Sequence, residues 1–152
     1  MKAIILDDDP LVLTLLNHIL HRRGYEVMTY DNPTAYSDCE RETCQGLIQR
    51  ACPDVIISDF DMPLVNGLEF FEALCRKGCR CRHMAMISGS IPDQALLERL
   101  KELGIKFFAK PVHREHIIDW LRQAEPRAAD GSPARRPSAV GVREPCAIRV
   151  TL

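Results

Sequence analysis

Six polar residues of the sequence carry the functional groups that phosphoryl chemistry requires, and they follow short apolar runs. They are Asp7, Asp8, Asp59, Asp61, Ser88 and Lys110. Crowded carboxylates repel one another unless they are protonated or bridged by a cation, and hard oxygen ligands favour Mg²⁺ or Mn²⁺. When a cation and an ammonium group neutralise the phosphoryl oxygens, a carboxylate can attack phosphorus. These residue types therefore predict phosphoryl transfer to an aspartate.

The apolar runs predict five parallel strands, because they are short, bounded by turn residues and separated by amphipathic stretches. The strands are expected at residues 3–6, 26–30, 55–58, 84–87 and 106–109. Helices are expected at residues 10–23, 32–52, 68–76 and 114–124, and a further helix is expected to start with Ser90 as its cap and to end at Gly104. Alternating strands and helices predict an α/β fold with a doubly wound sheet.

A doubly wound sheet would bring the six polar residues together, since its site lies outside the carboxyl ends of the strands. Each residue also has a simpler explanation on its own. Aspartates after a strand often cap helices or form turns, Ser88 could bond to the backbone, and Lys110 could be a solvated charge. Asp9, directly before Pro10, is expected to be only the N-cap of the first helix. The occurrence of all six groups at strand ends favours a common site.

Four segments of the sequence resemble the signature segments of bacterial response-regulator receiver domains. They are residues 6–10 (LDDDP), 53–63 (PDVIISDFDMP) together with Gly67, 86–89 (MISG) and 107–111 (FFAKP). The resemblance covers about residues 1–124, because the order, spacing and strand-end context of the segments agree. It implies a flavodoxin-like, five-stranded sheet of order 2-1-3-4-5, as in a stand-alone receiver of the chemotaxis-regulator kind.

The resemblance also implies the metal ligands. Asp59 is the expected phosphoacceptor, and Asp7 and Asp8 form the acidic pair that holds Mg²⁺ or Mn²⁺ beside it. The backbone carbonyl of Asp61 is expected to complete the metal shell. A domain of this kind is not an enzyme beyond its own phosphorylation and dephosphorylation.

The remaining roles implied by the resemblance concern the response to phosphorylation. Ser88 is expected to bond a phosphoryl oxygen, and Lys110 is expected to pair with the phosphoryl group and to precede a cis bond to Pro111. Phe107 is the expected aromatic switch, which turns inward when Ser88 moves. The sequence departs from the usual pattern in having Phe instead of Tyr at this position, Gly89 instead of Ala, and a longer segment between the second and third strands.

Composition limits the expected partners and location. The net charge is −1 and the pI is near 6.5, so no direct contact with nucleic acid is expected. No apolar run approaches a membrane span and no export signal begins the sequence, so a cytoplasmic protein is expected. The resemblance implies phosphorylation by a histidine kinase or histidine phosphotransfer protein. Output is expected through the predicted helix at 90–104, strand at 106–109 and helix at 114–124, with the protein a monomer or an activation-dependent dimer.

The chain is expected to divide into a receiver domain, residues 1–125, and a disordered tail, residues 126–152. The tail is rich in Pro, Ala and Arg, and such a segment cannot bury enough apolar surface to offset its ordering entropy. The predicted boundary falls directly after the last helix.

Three other interpretations also fit parts of the sequence. Asp59 and Asp61 also fit the Asp-x-Asp motif of haloacid-dehalogenase-type phosphatases, although Met62 and Pro63 follow and an acidic pair precedes. A pseudo-receiver would keep the fold as an interaction module without phosphorylation. Finally, Cys75, Cys79, Cys81 and His83 could bind zinc or sense redox state, although reduced thiols beside a strand are the expected state.

Overall fold

The computed structural model describes residues 1–34, 36, 52–81 and 83–124. The sheet within these residues has five parallel strands in the order β2-β1-β3-β4-β5, which confirms the predicted topology. The strands are β1 (Lys2–Leu6), β2 (Glu26–Tyr30), β3 (Val55–Asp59), β4 (His83–Ser88) and β5 (Ile105–Ala109). Each lies within one residue of its predicted bounds.

Helices cover both faces of the sheet. Those delimited in the described part of the chain are α1 (Pro10–His21), α2 (Gly67–Arg76), α3 (Gln94–Leu103) and α4 (Arg114–Ala124). The helix predicted at 32–52 lies mostly outside the described residues, and so does the predicted tail at 126–152. None of the described helices has the length and apolar character that a membrane span requires.

The core has two layers because successive side chains of a strand point to opposite faces. Ile4 and Ile56 belong to the layer that includes Phe71 of α2 and Leu100 of α3. On the other face the layer contains Ile5, Ile57, Leu16 of α1 and Leu121 of α4. Every residue of β3 is buried, so packing on both faces of this central strand fixes the position of Asp59 at its end.

Helix termini follow the capping chemistry of the sequence, with one correction. Asp9 caps α1 as predicted, and its carboxylate accepts a hydrogen bond from the Leu11 N–H at 2.8 Å. The prediction that Ser90 caps the helix ending at Gly104 was wrong. This helix, α3, begins after Asp93, whose carboxylate accepts a hydrogen bond from the Leu96 N–H at 2.7 Å. The helical region is disfavoured for a residue before proline, so the helix does not begin at Ile91, ahead of Pro92.

Candidate functional site

The carboxyl ends of four strands bring the predicted polar groups to one edge of the sheet. Asp7 follows β1, Asp59 is the last residue of β3, Ser88 is the last residue of β4, and Lys110 follows β5. The Lys110 N–H donates to the Ser88 carbonyl at 2.7 Å, which anchors the end of β5 to the end of β4. The Lys110–Pro111 peptide is cis, as the family resemblance implied.

Three carboxylates form the acidic cluster of the site. One oxygen each of Asp7, Asp8 and Asp59 lies within 4.8 Å of the others. The Asp7 and Asp59 side chains are 0% and 2% exposed, whereas Asp8 faces solvent. Asp7 Oδ2 and Asp59 Oδ1 receive no well-directed hydrogen bond from the described residues. Buried carboxylate oxygens without such a hydrogen bond are suitable ligands for a hard divalent cation such as Mg²⁺ or Mn²⁺.

Lys110 supplies the positive charge beside this cluster. Its Nζ lies 2.9 Å from Asp59 Oδ1 and 3.2 Å from Asp7 Oδ2, and it donates a long hydrogen bond of 3.4 Å to Asp7 Oδ1. The two shorter contacts are ion pairs with buried carboxylate oxygens. Such an ammonium is close enough to neutralise charge that develops on a group attached to Asp59.

The electrostatics of the site favour an additional cation. Burial raises the pKa of Asp7 above that of an ordinary carboxyl, and repulsion by Asp59 raises it further; the Asp9 N–H and Lys110 only partly oppose this. Burial alone lowers the Lys110 pKa, but the contacts with Asp59 and Asp7 outweigh burial and raise it. Lys110 therefore remains an ammonium, while the ionised acidic pair is under repulsion that a divalent cation relieves.

Ser88 and Asp61 meet beside the cluster. The buried Ser88 hydroxyl donates to Asp61 Oδ2 at 3.3 Å and accepts from the Ser90 N–H at 3.0 Å. The contact between Ser88 and the Asp61 side chain was not predicted, because the family resemblance concerned only the Asp61 backbone. Phe107 lies half-buried on β5 and packs against the core layer of α2 and α3.

Gly67 has a structural role at the site that was not predicted from the sequence. It is the first residue of α2, and its N–H donates to the Phe60 carbonyl at 3.0 Å. A Cβ at this position would overlap the Asp59 carbonyl oxygen and would also crowd the Phe60 Cα. The available signal was a glycine at the start of an amphipathic helix, where helix propensity alone favours other residues.

Comparison with known proteins agrees with this architecture. Residues 3–122 match the family model of the response regulator receiver domain. The positive alginate biosynthesis regulatory protein of Pseudomonas aeruginosa is 28% identical over 143 residues, which are 93% of this chain and 54% of that protein. Protein-glutamate methylesterase/protein-glutamine glutaminase 1 of Cupriavidus metallidurans is 30% identical over 142 residues, which are 89% of this chain and 37% of that protein. The chain thus spans about half or less of these curated relatives.

Solved structures share the fold. Chemotaxis response regulator CheY4 of Vibrio cholerae is 25% identical, with a TM-score of 0.63 over 82% of this chain and 98% of that one. A response regulator receiver domain protein from Clostridium thermocellum, 21% identical, has a TM-score of 0.65 over 81% of this chain and 92% of its own. Since the family model matches most of the chain and the fold is that of solved receivers, the chain belongs to the response regulator receiver domain family of signalling proteins.

Proposed function

We propose that this receiver accepts a phosphoryl group on Asp59 in the cytoplasm, from a phosphohistidine of a histidine kinase or histidine phosphotransfer protein. The observation that carries the proposal is the buried Asp59 carboxylate, with Lys110 Nζ 2.9 Å from Oδ1 and the Asp7 and Asp8 carboxylates beside it. No separate catalytic domain is needed for this step, because nucleophile and charge-stabilising groups already lie together.

The transfer is a substitution at phosphorus. An Asp59 carboxylate oxygen forms the new P–O bond, the P–N bond to the donor imidazole breaks, and its electron pair leaves with the imidazole nitrogen. Lys110 stabilises the charge that develops on the phosphoryl oxygens, and the Ser88 hydroxyl donates a hydrogen bond to one of them. Asp7, Asp8 and Asp59, with the Asp61 carbonyl, would hold Mg²⁺ or Mn²⁺, which when bound neutralises negative charge on the phosphoryl group.

The proposed output is a change in the face formed by α3, β5 and α4. A phosphoryl group adds charge and acceptor oxygens to Asp59, and Ser88 can reach them by releasing Asp61. The movement frees space beside β5, where Phe107 is already half-buried. Inward rotation of this ring would alter the face and so the affinity for an effector protein. The expected coupling is about 1–3 kcal/mol.

Phosphorylation of the wild-type protein by acetyl phosphate tests the proposal. With Mg²⁺ present, mass spectrometry should find one phosphoryl group per chain, on the peptide that contains Asp59; with EDTA, incorporation should be far slower. An unmodified protein under conditions that phosphorylate a known receiver would support the pseudo-receiver interpretation instead. Sustained hydrolysis of small phosphate esters, without a stable phosphoprotein, would point to a phosphatase.

Removing one proposed metal ligand should weaken Mg²⁺ binding. Asp8→Asn deletes a carboxylate of the acidic cluster, and we expect its Kd for Mg²⁺ to rise at least about tenfold, which is ~1.4 kcal/mol of binding free energy. Calorimetric titration of the folded protein measures this. Asp9→Asn is the matched control because it removes the same charge one residue along, and asparagine still caps α1. Equal losses in the two variants would mean that general charge, not ligation by Asp8, holds the cation.

Ser88→Ala should separate phosphorylation from the conformational response. Asp59 and Lys110 are unchanged, so Asp59 should still be modified. Alanine cannot donate to a phosphoryl oxygen, so Phe107 and residues 91–103 should respond less than in the wild type. The measurement is the backbone NMR shift change on adding beryllofluoride and Mg²⁺. The control is Ser90→Ala, which removes an exposed hydroxyl but keeps the backbone N–H that donates to Ser88. Full wild-type shifts in Ser88→Ala would exclude Ser88 as the carrier of the signal.

A further inference from the structure

A thiol cluster formed by Cys52, Cys79 and Cys81 lies at the amino ends of β3 and β4. It is separate from the phosphoacceptor site, which lies at the carboxyl ends of the strands. Val55 of β3 pairs with His83 of β4, and Cys52 and Arg80 each lie three positions before this pair. Neighbouring strands are about 4.8 Å apart, so the parallel register brings Cys52 beside the segment that holds the other two thiols. Cys52 was not predicted to join this group, which was expected to contain Cys75, Cys79 and Cys81.

Direct contacts place Cys52 next to Cys79. The Arg80 N–H donates to the Cys52 sulfur at 3.3 Å, so Cys52 lies beside the residue that follows Cys79, and the two thiols are close enough to influence each other's ionisation. Cys79 is held at the end of α2, because its N–H donates to the Leu74 carbonyl at 3.0 Å after the left-handed Gly78. The Cys81 thiol is engaged elsewhere, since it donates to the His83 carbonyl at 3.5 Å. Cys52 and Cys79 are therefore the pair that the geometry places best for a disulfide.

The cluster does not form a ready metal site in the described residues. The group of three or more His, Cys, Asp or Glu that brings ligand atoms within 4.8 Å of one another is the acidic cluster of Asp7, Asp8 and Asp59. Zinc held by cysteine needs three or four such ligands, whereas a disulfide needs only two thiols in contact. Two adjacent thiols with Cys52 exposed to solvent fit a reversible disulfide.

We propose that Cys52 and Cys79 form an intramolecular disulfide when a hydroperoxide oxidises this protein. Cys52 reacts first because it is exposed: its sulfur breaks the O–O bond and becomes a sulfenic acid, while the hydroperoxide leaves as an alcohol, or as water from hydrogen peroxide. The Cys79 sulfur then attacks the Cys52 sulfur. The S–S bond forms, the S–O bond breaks, and the hydroxyl leaves as water with the Cys79 proton.

The environment assigns the two roles. Burial, with repulsion from the neighbouring thiols, raises the pKa of Cys79, and burial raises the pKa of Cys81 to about 12. Both therefore stay protonated and protected from direct oxidation. The position of Cys52 on the Arg80 N–H nevertheless gives Cys79, the preceding residue, the short approach that the second step requires. The disulfide would join the segment before β3 to the segment after α2, far from the carboxyl ends of the strands that carry Asp59 and Ser88.

Peptide mapping after oxidation tests the proposal on the full chain. Dilute reduced protein is treated with hydrogen peroxide, remaining thiols are alkylated, and trypsin is added without reductant. Trypsin cuts after Arg76, Lys77, Arg80 and Arg82, so Cys79 and Cys81 fall on separate peptides. We expect a monomer lighter by two hydrogen atoms, with the peptide of residues 51–76 linked to that of residues 78–80, and full reversal by dithiothreitol.

Variants show which cysteine of residues 51–76 forms the link, since this peptide contains both Cys52 and Cys75. Cys52→Ser should abolish the linked peptide, and Cys75→Ser and Cys81→Ser should keep it. A predominant link to residues 81–82, a link that survives in Cys52→Ser, or oxidation of Cys52 with no disulfide would each overturn the proposal. If Cys52→Ser fails to fold, Cys75→Ser still decides the question, because a link retained in that variant leaves Cys52 as the one thiol of residues 51–76 that can form it.

Discussion

Asp59→Asn is expected to reduce phosphoryl incorporation from acetyl phosphate by at least about a thousandfold, the scale seen when a nucleophile is removed. Asparagine keeps the shape of aspartate, but its neutral amide is a poor nucleophile toward phosphorus. The fold should remain, because Lys110 keeps its contacts with Asp7. Loss of the Asp59 charge also relieves the repulsion that raises the Asp7 pKa. Incorporation is measured by intact-protein mass spectrometry, and stability by urea unfolding of the metal-free protein.

Asp61→Asn is the matched control for this substitution. It makes the same chemical change two residues along, where the side chain is exposed and the backbone carbonyl is unaffected. The asparagine oxygen can still accept the hydrogen bond from Ser88. Incorporation should therefore stay within about tenfold of wild type. Full incorporation in Asp59→Asn would show that Asp59 is not the phosphoacceptor, and equal losses in the two variants would show that the effect is not specific to Asp59.

The sheet could be predicted from the sequence because its strands are short apolar runs with helices between them. β1 and β3 are almost wholly buried, so they appear in the sequence as continuous apolar runs. They could be recognised as strands without knowing which side chain points to which face of the sheet. The meeting of Asp7, Asp59 and Lys110 followed from the rule that parallel strands present their carboxyl ends at one edge. The roles of these residues stay predictions until phosphorylation is measured.

Features that depend on the tertiary path of the chain were not accessible in the same way. The start of α3 depends on competition between Ser90 and Asp93 as caps, and the constraint from Pro92 decides it. The proximity of Cys52 to Cys79 and Arg80 depends on the register of β3 with β4, which cannot be read from the sequence. The raised pKa of Asp7 depends on burial by the whole fold.

Gly67→Ala should destabilise the protein by about 1–3 kcal/mol, the usual range for an overpacked site. The added methyl group would overlap the backbone carbonyl oxygen of Asp59. This carbonyl belongs to the central strand and, unlike a side chain, cannot rotate out of the way. Relief requires either a shift of α2 or a displacement of Asp59 away from Lys110. We therefore expect a lower unfolding free energy in urea together with slower phosphorylation by acetyl phosphate.

Gly89→Ala provides the matched control, because it makes the same change beside Ser88 at the same edge of the sheet. A Cβ at this position would meet no atom within 4 Å, and the Gly89 backbone is not in the left-handed region. Stability should be unchanged or should rise by up to about 1 kcal/mol, since alanine restricts the unfolded chain more than glycine does. Equal stability of Gly67→Ala and wild type would show that α2 can move without cost. The close approach of α2 to Asp59 would then not be needed to hold the phosphoacceptor in place.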